Sequence, residues 1–184
     1  MLLASLTNLK LFLEITAVTH DTLLTLLLTQ ISQRVETYLN RNMEKLARTQ
    51  YFNAGRKYYF LPAYPIDESV TLTVVLDGNT QTKDDDYYVW ADKGLIEFET
   101  VPTYNEPKQL AITWTGGYVD NATIPADIQM ATIMQTAFIF RRRKDIGLSS
   151  ISLPDGSISV NAPTELLPEV KAILKSHRRS PQGD

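Results

Sequence analysis

The chain of 184 residues contains no cysteine. Disulfides, thiol nucleophiles and cysteine-based zinc sites are thereby excluded together. Histidine is almost as scarce, with only His20 and His177, which leaves little from which to build a general base. No apolar run approaches the ~20 residues needed to cross a bilayer. The most leucine-rich stretch, 23–28, is broken by Thr25 and lies inside a helical pattern with polar flanks. A basic start and a cleavage site of the secretory kind are missing from the first residues, so a product made in the cytoplasm, with no membrane partner, is expected. Positive charge is not in excess either: 18 Lys and Arg stand against 21 Asp and Glu, a net charge of −3. That removes the global basic footprint of a nucleic-acid binder. Internal repeats and low-complexity stretches are also missing.

What is present has the ordinary balance of a globular chain, 43% hydrophobic and 21% charged, and can bury a core without staples. Thr7 is placed to cap a short helix carrying Leu9, Phe12 and Leu13, and Thr19 to cap a longer one reaching Leu39. In the longer helix Leu23, Leu24, Leu27, Leu28, Ile31, Val35, Tyr38 and Leu39 fall on one stripe at helical spacing. Leu26 falls off it, as a surface leucine or as one covered by a neighbouring subunit. Near Asn42 the period becomes alternating, and strands are expected near 46–52, 56–61, 70–76, 86–90, 95–99 and 108–115. Turn residues punctuate them at Asn53-Ala54-Gly55, Asp77-Gly78-Asn79 and Asp92-Lys93-Gly94, and 102–107 reads as an exposed loop.

Helix returns at Pro125, runs to about Lys144 and stops before Gly147. Its apolar residues Ile128, Met130, Ala131, Ile133, Met134, Ala137, Phe138, Ile139 and Phe140 wrap most of the circumference and leave a narrow polar strip of Gln129, Thr132, Thr136 and Arg143. Such a helix has to be covered on more than one side, by other elements of its own chain or by another copy. The runs 149–153 and 157–160 flank Pro154-Asp155-Gly156 as a hairpin, a last helix spans about 165–177, and the tail 178–184 is polar. The expected fold class is α+β: a small bundle of about four α-helices with a β-rich insertion between the second and third helices. The expected domains are a discontinuous helical core of 1–44 plus 122–184 and an inserted antiparallel β unit of 45–121.

Few residues suggest catalysis. There is no Gly-x-Ser-x-Gly elbow, and His20 in an opening helical turn and His177 near a helix end read as surface residues. Asp84-Asp85-Asp86 lacks the alternating ligands, glycine and distal glutamate of a calcium loop. It reads as a solvated turn. Gly116-Gly117-Tyr118 lacks the lysine and hydroxyl residue of a phosphate loop. Asp67, Glu68, Glu97 and Glu99 sit on or beside strands and leave a hydrolase as the least favoured reading. Tyr51, Phe52, Arg56, Lys57, Tyr58, Tyr59 and Phe60 interleave rings with cations, as in a stacking platform or an alternating hairpin. Arg141-Arg142-Arg143-Lys144 either complements a helix dipole or meets an acidic surface or phosphate backbone. No catalytic residue, metal or cofactor is expected.

Two segments carry a resemblance. Leu6-Thr7-Asn8-Leu9-Lys10-Leu11-Phe12-Leu13, then His20-Asp21-Thr22-Leu23-Leu24, then Ile31, Val35, Tyr38 and Arg41 form a short helix, an acidic cap and a long helix ending in Tyr-x-x-Arg. Ile112-Thr113-Trp114-Thr115-Gly116-Gly117-Tyr118 is followed by Ile124-Pro125-Ala126-Asp127-Ile128-Gln129-Met130-Ala131 and a basic helix end. In this order they resemble the head-tail connector, or head completion, proteins of tailed bacteriophages. The β region from about Lys45 to Tyr118 is longer and more ordered than compact members of that family need, and the hairpin at 154–157 has no match in the pattern.

The resemblance implies a structural neck protein of the virion. It would form a ring of about twelve copies between the portal protein and a stopper or tail-terminator protein, with genome DNA passing through the lumen without sequence-specific binding. Lys171, Lys175, Arg178 and Arg179 are then candidates for portal binding. Leu26, Met130, Met134, Phe138, Arg141, Arg142 and Arg143 are candidates for the subunit interface or ring core. The β unit would face outward or toward the tail. The alternative is a carbohydrate- or protein-binding module of the particle, using Tyr58, Tyr59, Tyr64 and Trp90.

Overall fold

The computed structural model describes residues 1–103, 105–144, 150–153, 156–159 and 165–179, with backbone pairing alone at 150–153 and 156–159. Among the described residues four α-helices, two larger antiparallel sheets and one two-stranded sheet make it an α+β protein. It divides into two compact units: 1–39 with 120–178, and 40–119 with 179–184.

In the helical unit, α1 (Leu6–Leu13) is capped not by Thr7 but by Ser5, whose Oγ accepts from the Asn8 N–H at 3.1 Å. Ser5 is extended and two residues earlier, so its hydroxyl reaches the third helical amide, whereas Thr7 already lies within the first turn. Glu14 ends the helix in the left-handed region at φ 59°. Helix α2 (Asp21–Leu39) starts two residues after Thr19, with the His20 carbonyl accepting from Leu24 N–H. Leu24, Leu28, Ile31, Val35 and Leu39 are buried along the expected stripe. Ser32 is buried beside them because its hydroxyl donates to Leu28 O and accepts from Leu3 N–H, which pins the chain start against α2.

Helix α3 (Ala126–Arg142) departs from expectation on one face. Thr132 and Thr136 are buried, with hydroxyls donating to Ile128 O at 2.8 Å and Thr132 O at 2.7 Å. A hydroxyl satisfied by the preceding turn can be buried without an unpaired group, so the polar strip is not the solvent face. Gln135 is buried too, its Oε1 accepting from Leu167 N–H just before α4 (Pro168–Leu174). Ile133, Ala137 and Phe140 pack with Leu9, Leu13, Leu24 and Leu28 into one core. Strands β8 (Ser150–Leu153) and β9 (Gly156–Ser159) pair antiparallel. The expected turn residues Pro154 and Asp155, the helix stop at Gly147 and the tail from 180 lie outside the described residues.

Among the described residues the β unit holds seven strands. Strands β1 (Leu46–Phe52), β7 (Leu110–Gly116), β3 (Thr73–Leu76) and β4 (Asn79–Thr80) form one sheet in the order β1-β7-β3-β4, and β2 (Tyr58–Phe60), β6 (Leu95–Phe98) and β5 (Tyr87–Trp90) form another in the order β2-β6-β5. Alternation dictates the inner face: Leu110, Ile112, Trp114 and Gly116 of β7 are buried, and the residues between them are not. They meet Tyr59, Leu61, Val74, Tyr87, Ile96 and Phe98 in a second core. After β7 the chain turns at Gly117, whose φ of +109° and approach to the Glu44 carbonyl, 2.6 Å from where a Cβ would stand, leave room for glycine alone.

Candidate functional site

Chemistry-bearing side chains in this chain are mostly occupied in holding it together. His20 lies edge-on to the Phe140 ring at 5.4 Å. His177 is bonded to Asp127 at the start of α3. Burial pushes the Asp127 carboxyl up, but the bonds from His177 and the Ile128 N–H outweigh it and hold the group below its ordinary value. Asp86 closes its own turn by accepting from Thr82 N–H at 2.7 Å. Asp67 takes Lys45 at 2.7 Å and the Ser69 hydroxyl, and Glu68 takes Lys83. Among the described residues no group of three or more His, Asp or Glu is placed to hold a metal ion.

The four basic residues proposed near the C-terminus have different partners. Lys171 is paired with Glu165. Arg178 lies over the Tyr38 ring, 5.1 Å from its centroid, while Lys175 faces solvent. Arg179 belongs to the β unit. Its guanidinium donates to Leu61 O and Lys93 O and stacks over Tyr64 at 4.3 Å, and burial pushes its pKa down from the ordinary arginine value. Arg41 lies over the same ring, buried, 3.5 Å from the centroid and donating to Tyr64 O. Arg41 also faces the Tyr118 ring at 5.6 Å. The end of the first resemblance segment thus meets Tyr118, the residue that closes the strand part of the second.

The candidate interface residues sit as follows. Met130, Met134 and Phe138 lie at successive fourth positions of α3 and so share one face. Met130 is 45% exposed and Leu26 of α2 is 54% exposed, whereas Met134 and Phe138 are half-buried. Arg142 lies over Phe138, and Arg143 folds back over Phe140 at 3.9 Å and donates to its carbonyl. Arg141 is exposed. Sequence reasoning passed over Leu11 and Val18, which are 78% and 76% exposed. The available signal was that neither fits the apolar stripe of a helix.

Of the four residues of the alternative reading, Tyr59 is buried and Tyr64 is covered by the two arginines, whereas Tyr58 and Trp90 are exposed. Phe60 and Tyr88 join them on the outer side of the three-stranded sheet. Trp90 Nε1 donates to Glu97 at 3.1 Å, and Lys57 approaches the same carboxylate at 3.4 Å.

A family model described as "Head completion protein" matches residues 2–180. No curated protein matches. Among solved structures, the chain is similar to one from the neck of an empty gene transfer agent particle computed with C6 symmetry, with 18% identity and a TM-score of 0.57 over 89% of this chain and 82% of that one. It is also similar to one in the virion of the native particle, with 16% identity and a TM-score of 0.54 over 90% and 82% of the two chains. A third similar chain is in the native neck computed with C12 symmetry, with 16% identity and a TM-score of 0.53 over 96% and 90%. At these identities the likeness is one of fold.

Proposed function

We propose, from the premise that this chain belongs to the head completion protein family, that it is a structural protein of the neck of a tailed phage or phage-like particle. Copies of it close into a ring that joins the portal to the next neck component and extends the DNA channel. The observation that carries this reading is the family match over residues 2–180. The fold shared with neck chains in particles computed with C6 and C12 symmetry supports it. The role is mechanical, and its energetics are those of docking.

The boundary between copies is assigned to Leu26, Met130, Met134 and Phe138 with Arg141, Arg142 and Arg143. Exposed apolar side chains beside cations suit a contact that is dry at its centre and charged at its rim. Engagement of the portal is assigned to the end that carries Lys171, Lys175, Arg178 and Arg179. Within it Lys175 and Arg178 are the exposed members. The net charge of −3 suits a channel that DNA must leave, because a strongly basic lining would hold it by counterion release.

Imaging of intact particles tests the role: density for this chain as a ring at the portal vertex is expected, and its absence there contradicts the reading. A Lys175→Glu, Arg178→Glu double variant should fold normally and fail to join portal-bearing heads. Undiminished joining would refute the assignment of that end.

A further inference from the structure

The outer face of the sheet β2-β6-β5 changes chemistry along its strands. Register places Tyr58, Glu97 and Tyr88 in one row and Phe60, Leu95 and Trp90 in the next. Between these rows Tyr59 and Ile96 point into the core, so the pleat turns the two rows outward. The four aromatic residues are 38% to 48% exposed. Past the Tyr58 row the ladder takes one more step, Glu99 N–H donating to Asp86 O at 2.9 Å. That step sets Glu99 and Asp86 on the face that carries Glu97 and Tyr88.

Charge is balanced at one end of this face and not at the other. Glu97 is met by Lys57 and Trp90. Glu99 lies against the Tyr88 hydroxyl, and its charge, with burial and the charges of Asp84 and Asp85, pushes that phenol above its ordinary value. Among the described residues no ion pair neutralises Asp84, Asp85, Asp86 or Glu99. Lys57, Lys93 and Arg179 of the same chain already lie over the Tyr58, Trp90 and Phe60 rings, at 5.9, 5.4 and 5.2 Å, so it is the unneutralised carboxylates around Tyr88 that suit further guanidinium and ammonium groups.

The chain carries such groups at the end of α3. Arg143 is folded onto Phe140 and Arg142 lies over Phe138, but Arg141 and Lys144 point to solvent. We propose that the aromatic and acidic face of β2-β6-β5 in one copy receives Arg141 and Lys144 of the next copy, and that this is a head-to-tail contact of the ring. The inference rests on the ring reading above. Its two surfaces differ, so the contact is heterologous, the kind that closes a ring when its rotation closes.

The test begins with the wild-type chain in assembled particles, where the lack of any ring would refute the ring reading, and this contact with it, before a variant is made. Given a ring, Arg141→Glu and Glu99→Arg should each cut incorporation into particles by roughly tenfold or more. Co-expressing the two variants should restore it, because in an alternating ring every such contact again pairs arginine with glutamate. The absence of cysteine allows a second measurement. Particles built from an Arg141→Cys, Glu99→Cys double variant should yield a ladder of disulfide-linked copies on oxidation. The contact is overturned if neither charge reversal matters in an intact ring, or if co-expression fails to rescue two variants that melt like the wild type. If a reversal lowers the melting temperature, the ladder decides, and an intact ring without it overturns the contact. Crosslinking of Glu99→Cys to another neck protein instead of to a sibling also overturns it.

Discussion

Trp114 of β7 holds the segment that follows β2: its indole N–H donates to Ala63 O at 2.9 Å while the ring is buried in one core with Leu110, Ile112 and Tyr59. Trp114→Phe keeps an aromatic ring and deletes the donor, stranding a buried carbonyl. A stability loss of about 1–3 kcal/mol is expected in denaturant titration, and a smaller change would mean that the carbonyl finds another partner. Asp67 reports on pH instead. The bond from Lys45, with those from Ser69, holds its carboxyl at about 2, below the ordinary 3.8. A depressed folded value means that the unfolded chain takes this proton first. The contribution is therefore complete at pH values above the ordinary carboxylate range and is lost as pH falls toward 2. Asp67→Asn should flatten that part of the acid-denaturation profile, and an unaltered acid limb would show that the pair does not contribute.

Helix α3 shows how an element can satisfy its sequence and still surprise. Its extent, its basic end and its need for cover on several sides follow from residue pattern. The solvent-facing side does not, because a threonine whose hydroxyl bonds to the preceding turn is as buriable as a valine. What remains outward on α2 and α3 is partly apolar, Leu26 and Met130. Leu26→Asp and Met130→Asp should leave the melting transition of the isolated chain within about 0.5 kcal/mol of the parent, as for exposed positions generally. Incorporation into particles should nevertheless fall. A drop in stability equal to the drop in incorporation would make these residues core and not interface.

For the molecule as a whole, the net charge is −3, and Arg41, Arg143 and Arg179 are engaged with rings of the chain itself. Affinity for duplex DNA at physiological salt should therefore be weaker than the ~10⁻⁴–10⁻⁶ M of ordinary non-specific binders. Fluorescence anisotropy with a labelled duplex measures this, and saturation at micromolar protein would contradict a passive channel.

Element type and order were legible in the sequence because they rest on local patterns: the stripe from Leu24 to Leu39, the alternation of β7, the turn at Asp77-Gly78. The family resemblance was legible for a related reason, since its motifs are short runs at helix and strand ends. Cap positions slipped by a residue or two, as at Ser5 in place of Thr7, because several hydroxyls compete for the same amides. Which side chains become neighbours was decided by the tertiary structure alone. Strand register sets Tyr58 and Tyr88 on either side of Glu97, and folding brings Arg41 and Arg179 to the one ring of Tyr64. Such partnerships join positions tens or more than a hundred residues apart, and a local period holds no information about them.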